Sequence, residues 1–349
     1  MGIGAPQKIF GSVKSFSARG RLLSKGELQT LAESRNLDEL VTRIKSTVYL
    51  NAVSKITKPI TAEKIESALR SHLADIHFSL AKSVGGGSEI LNVYYLKFLI
   101  WNLKLIFKGK VLGRSYEEIE PYVNLHAEEL IGRRDIVVKA LVAKDLEEAV
   151  SSLATSEFGE EITKAVALYN EKKNLQVFDT YLDKVFYKQL DSALKASGEH
   201  DLAHLIGMDI DFYNLLSILR GKFWGLDEQH ILDLIVTHTT SAPKDLLGRM
   251  ISAESVKDAM SELSSTIYKD LVPQIDNAID ALSEFERAFE LAIYKAINRT
   301  FTRMFSFATV IGILKLMTYE IRNISAIAFA VEQQIPTQTV MSKLVIAEQ

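Results

Sequence analysis

The chain contains no cysteine, which excludes disulfides, thiolate zinc sites, iron–sulfur clusters and thiol catalysis. Its 6 prolines and 18 glycines in 349 residues are few, and they favour helices over a turn-rich β-sandwich. Positive charge is not in excess either. The net charge is −3, which lacks the basic field of a nucleic-acid-binding protein. Two stretches come near transmembrane length. Residues 90–107 are apolar except for Asn92, Lys97, Asn102 and Lys104, and residues 304–317 except for Ser306, Thr309 and Lys315. A spanning helix takes about 20 predominantly apolar residues and carries lysine only at high cost, so both read as core or partner-facing helices. The first 23 residues hold no apolar core of signal-peptide length, and Pro6 stands where a myristoylation motif needs Ser or Thr. What is present, 47% apolar and 24% charged residues, is the composition of a folded protein. The length suits two or three domains at roughly 150 residues each.

One fourteen-residue block is written three times: NLDELVTRIKSTVY at 36–49, DLEEAVSSLATSEF at 145–158 and SVKDAMSELSSTIY at 255–268, offset by 109 and 110 residues. Each begins with a helix-capping residue (Asn36, Asp145, Ser255) and carries an acid three places on (Glu39, Glu148, Asp258). That acid sits where the reciprocal partner of a capping box belongs. Thr or Ser recurs at the twelfth position and an aromatic at the fourteenth. A second phrase, NLKLIFKGK at 102–110, returns as NLLSILRGK at 214–222, and a worn copy from Asn323 keeps Ile324 and Ile327 but loses the Arg-Gly-Lys. Gly109 reads there as a helix C-cap, with Lys108 and Lys110 favourable beside the carbonyl end. Between the phrases, Phe178, Leu182, Asp183, Phe186 and Tyr187 align with Phe285, Phe289, Glu290, Ile293 and Tyr294. Apolar spacing of 3–4 residues predicts a long helix over 62–83 after the Lys58-Pro59-Ile60-Thr61 break, ended by a Gly85–Gly87 loop. No window alternates with period two. The pattern predicts an all-α protein of three similar helical domains, at 1–120, 121–231 and 232–349, in a pseudo-threefold arrangement.

Residues for bond chemistry do not assemble. Lys110 and Lys222 follow glycine, but the second glycine and the hydroxyl of a phosphate loop are missing. His200 and His204 are four apart, as metal ligands on a helix would be, yet GEHDLAHL is polar and the sister repeats keep no histidine there. His72, His77, His126, His230 and His238 stand alone, which is the pattern of structural residues. Glu117-Glu118, Glu128-Glu129 and Glu160-Glu161 are adjacent and point about 100° apart on a helix, a better fit to solvated faces than to a catalytic dyad. The expectation is a non-enzyme with no cofactor, metal or catalytic residue.

ARGRLL at 18–23, the 36–49 block and, most specifically, residues 178–225 resemble the C subunit of archaeal and bacterial A/V-type ATP synthases, the counterpart of the d subunit of the vacuolar ATPase. In that last stretch Phe178, Leu182-Asp183, Tyr187, Ile210-Asp211, Asn214-Leu215, Leu219-Arg220 and Lys222 fall at the family spacing, and Glu320, Arg322, Asn323 and Ile324 carry its Glu-x-x-Asn pattern. The resemblance implies a funnel of three helical domains. It would sit peripherally on the cytoplasmic face of the membrane, between the rotor ring (a c/K-type subunit) and shaft subunits D and F. Such a piece transmits torque and catalyses nothing. Lys108, Lys110, Arg220, Lys222 and Arg322 are then candidate interface residues; as helix-end charges in solvent they would need no partner. The competing reading is a stand-alone helical scaffold or tether.

Overall fold

A computed structural model describes residues 4–84, 88–236 and 243–346. Among these every regular element is a helix. The expected helix over 62–83 is found as Ala62–Ser83, started by the Thr61 hydroxyl accepting from the Lys64 amide. The Gly85–Gly87 loop lies outside the described residues. Compactness divides the chain into two units: Met1–Tyr95 with Asn124–Arg133 and Tyr294–Gln349, and Leu96–Val123 with Arg134–Ile293.

The first unit is built around the Ala308–Glu332 helix. This helix is apolar nearly all round, as a fully surrounded helix must be. It touches the helices Ala5–Arg19, Lys25–Ala32, Leu37–Ile44, Ala62–Ser83 and Thr337–Met341. The second unit repeats the plan around His200–Phe223, which touches Gln176–Ser197, Glu228–Leu234, Lys244–Ser252 and Val256–Ser261. Among the described residues two helices, Glu89–Val111 and His200–Phe223, are long and apolar enough to cross a membrane, and both are mostly buried inside the protein. The second is therefore not the 304–317 stretch that the sequence suggested. His77 is a satisfied structural histidine, its Nε2 3.0 Å from the Leu91 carbonyl and its ring stacked on Tyr95.

The paired acids correct one expectation. Glu160 is exposed, but Glu161 is 2% exposed and meets Lys184 at 3.2 Å and Lys188 at 3.1 Å. Neighbours 100° apart on a helix cannot share a face, so one turns outward and the other enters the core with counter-ions.

The three blocks share one construction. Asn36, Asp145 and Ser255 accept from the amides of Glu39, Glu148 and Asp258 at 2.9, 2.9 and 3.1 Å. The reciprocal bond differs from a capping box. Glu39 and Glu148 reach one residue further back, to the amides of Arg35 and Lys144. The shorter Asp258 accepts only from the Ser255 hydroxyl. A true box closes at Ser24–Glu27 instead. At the other end the twelfth-position hydroxyl takes the amide of the aromatic: Tyr49 to Thr47 at 3.2 Å, Phe158 to Ser156 at 3.2 Å and Tyr268 to Thr266 at 3.1 Å. This turn explains why Thr or Ser recurs there.

The second phrase is also corrected. Gly109 and Gly221 lie inside their helices. A Cβ at Gly109 would stand 2.7 Å from Ile119 Cδ1, and one at Gly221 2.8 Å from Ile231 Cγ1. The glycines admit an isoleucine wedge, and the cap comes four residues later. Gly113 and Gly225 hold φ of +70° and +68°. Arg114 and Leu226 donate to the Gly109 and Gly221 carbonyls, with Gly113 and Gly225 donating to Lys110 and Lys222, which is the Schellman arrangement. The worn copy keeps the same bonds, Ile335 to Ala330 and Gln334 to Val331, with Gln334 at φ 55°. Ala330 and Val340, both buried, stand at the positions where the others have Gly and Ile.

A candidate partner-binding cleft

The asparagines of the second phrase are buried clasps. The Asn214 amide donates to the Val236 carbonyl at 2.7 Å and its Oδ1 accepts the Val236 amide at 2.8 Å. Asn323 does the same with Val345, at 2.9 and 3.1 Å. Both partners lie 22 residues downstream. Three residues before each clasp stands an acid that takes the phenol of a block tyrosine. Tyr268 donates to Asp211 at 2.5 Å, and Tyr49 to Glu320 at 2.6 Å. The second block has Phe158 in place of the tyrosine, and the first phrase has Leu99 in place of the acid. Both are fully buried. Donor and acceptor are lost together, as burial demands.

Around Glu320 a cleft of about 430 Å³ opens in the first unit, lined among others by Lys14, Ala18, Arg21, Tyr49 and His72. The ARGRLL segment forms one wall. Arg19 donates to Asn298 at 3.1 Å and lies over the Phe301 ring, while the Leu23 amide donates to Glu320 Oε2 at 2.6 Å. Burial pushes the Glu320 carboxyl up to about 7, against the two hydrogen bonds that favour its charged form. Burial likewise lowers the His72 imidazole and raises the Tyr49 phenol. Both carboxyl oxygens are engaged as acceptors from separate segments, so the group ties the lead-in, the segment before the second helix that ends at Leu23, and the first block to the central helix. The arrangement clamps and positions; no activated nucleophile is built into it.

The family model for the ATP synthase (C/AC39) subunit matches residues 13–343. The chain belongs to that family. The C subunit of the A-type ATP synthase of Methanocaldococcus jannaschii is 25% identical over 94% of this chain and 84% of its own length. The Pyrococcus horikoshii protein of the same name is 27% identical over 90% and 84%. That of Haloferax volcanii is 27% identical over 81% of each.

In this C/AC39 chain the five basic residues singled out by sequence have different surroundings. Lys108 donates to Asp179 at 2.6 Å and Arg220 to Glu286 at 3.0 Å. Lys110 is buried and donates to the Ala143 carbonyl. Lys222 is half-buried and makes no ion pair among the described residues. Arg322, in the first unit, is exposed with its guanidinium over Tyr319. Sequence reasoning did not find the Tyr49–Glu320 and Tyr268–Asp211 pairs. The signal was there: the tyrosines and the acids vanish together in the remaining copy.

Proposed function

We propose that this chain is the C subunit of an A-type rotary ATP synthase, a non-catalytic part of its central stalk. In this reading it lies peripherally on the cytoplasmic face of the membrane and joins the c/K-type rotor ring to shaft subunits D and F. It carries torque between ATP synthesis or hydrolysis and proton or sodium transport. The observation that carries the reading is the family match over residues 13–343. Clasped asparagines and Schellman-capped helix ends suit a part that must not yield under torsion. Three domains at 1–120, 121–231 and 232–349, arranged as a funnel, belong to the same proposal. So does a partner-facing role for Lys108, Arg220, Lys222 and Arg322, whereas Lys110 is buried on a carbonyl; Lys222 makes no ion pair among the described residues. Lys222→Glu is expected to weaken association with the shaft or ring while shifting stability by only about 0.5 kcal/mol. The test is to tag the chain in its host, solubilise the membranes and identify what co-purifies. Recovery of ring, shaft and catalytic subunits supports the proposal; their absence from a stable, folded preparation overturns it.

A further inference from the structure

We infer that one face of the first unit, formed by the Ala5–Arg19 helix and the turn at 301–307, docks on an anionic phospholipid surface. The helix leaves Ile9, Phe10 and Val13 exposed at 43, 52 and 54%, and the turn leaves Met304 and Phe305 exposed at 69 and 47%. Helix and turn make one surface. The Phe305 amide donates to the Ser12 hydroxyl at 3.2 Å, and Phe16 packs edge-on against Phe301 with centroids 5.2 Å apart.

Two further observations bear on the occupant. Phe305 has φ 66°, a left-handed backbone that is an outlier for a bulky residue. The matching turn of the second repeat places Gly198 there, also at φ 66°. An exposed phenylalanine is thus held where glycine would be relaxed. The charge is one-sided as well. Residues 1–26 and 294–319 contain no Asp or Glu, yet carry Lys8, Lys14, Arg19, Arg21, Lys25, Lys295, Arg299, Arg303 and Lys315, in a chain whose net charge is −3. Arg21, Lys25, Lys295, Arg299 and Arg303 are exposed. Of the acids that bound these stretches, Glu290 and Glu320 are buried, and Glu27 is exposed but turned onto the Ser24 amide and hydroxyl. Apolar tips interleaved with cations are what an interfacial helix offers a bilayer: the tips enter the headgroup boundary and the cations sit over phosphates.

The inference does not rest on the stalk reading, since a chain that joined no ATP synthase would still bind vesicles. The experiment is co-sedimentation of the full chain with phosphatidylcholine vesicles, with and without phosphatidylglycerol. Binding is expected only with phosphatidylglycerol, and it should weaken as salt is raised. Arg299→Gln with Arg303→Gln should lower it on the order of 30-fold. Phe305→Asn, which tolerates the left-handed backbone, should lower it about tenfold with the melting temperature kept, and Phe10→Ser, on the exposed helix face, should do the same. Equal binding to both vesicle types overturns the inference, as do unchanged binding by both aromatic variants or recovery of an acidic protein partner with no vesicle binding.

Discussion

Tyr268→Phe tests whether the buried tyrosine–acid pairs are hydrogen bonds that the fold needs or polar ornaments on a packed core. Tyr268 is 2% exposed and Asp211 0%, and the phenol reaches Asp211 at 2.5 Å. Removing the hydroxyl keeps the ring's packing against Phe289, whose centroid is 4.8 Å away, but takes a donor from a buried carboxyl. That deletion costs about 1–3 kcal/mol. Asp211→Leu alone strands the phenol instead, at a similar cost of about 1–3 kcal/mol. The two together recreate the combination found as Phe158 and Leu99, in which neither member of this pair is left without the other. The double variant should therefore lose less than the sum of the singles, with a coupling of about 2 kcal/mol. Guanidinium titration followed by tryptophan fluorescence suits the measurement, since Trp101 and Trp224 both belong to the second unit. Additive losses would refute the reasoning and make the tyrosine a matter of ring packing alone.

Three other perturbations follow from the repeats. Gln334→Gly should stabilise the protein by about 0.5–1 kcal/mol, because the strain of a left-handed side-chain-bearing residue, about 1–2 kcal/mol, exceeds the entropic cost of glycine, about 0.4–1 kcal/mol; a lowered melting temperature would contradict the cap. Gly109→Ala and Gly221→Ala should each destabilise by about 1–3 kcal/mol, since the added methyl would stand 2.7 Å from Ile119 Cδ1 in one and 2.8 Å from Ile231 Cγ1 in the other. Thermal melting of the three proteins decides it. Glu320 carries the pH dependence. Its folded value of about 7 exceeds the ordinary 4.5, so the folded state holds the extra proton and stability falls as pH rises from 4.5 through 7. That component is about 3 kcal/mol. Glu320→Gln should remove it, and the stability difference between wild type and variant should change between pH 5 and pH 8; a constant difference would show that the carboxyl is not buried as described.

What the sequence disclosed was what is local. Each block closes its cap and its hydroxyl turn within fourteen residues, so pattern alone located all three. The start of the 62–83 helix is likewise set by Thr61 beside it. Gly109 was misread as a cap because its reason is the Ile119 side chain ten residues on, and because Gly113 supplies the positive φ. The cleft lay further out of reach. Tyr49 and Glu320 are 271 residues apart, and Leu23 and Glu320 are 297 apart. Nor can a run of basic residues announce which ones are spent at home. Lys110 ends on a carbonyl 33 positions later, whereas Lys222, just before a similar cap, has no such acceptor among the described residues.

The first unit draws on both ends of the chain, which fixes an order of events in the making of the protein. A ribosome releases residues 134–293 as one uninterrupted stretch, and the second unit can condense while synthesis continues. The lead-in, the first block and the 62–83 helix must wait for the helix at 308–332 that they surround, and until then their apolar faces stay uncovered. Closing so long a loop is entropically slow. A chain cut before residue 301 therefore lacks the central helix, the clasp at Asn323 and the turn at Phe305 all at once. The surface that joins the Ala5–Arg19 helix to Phe305 forms only once both distant stretches have been made.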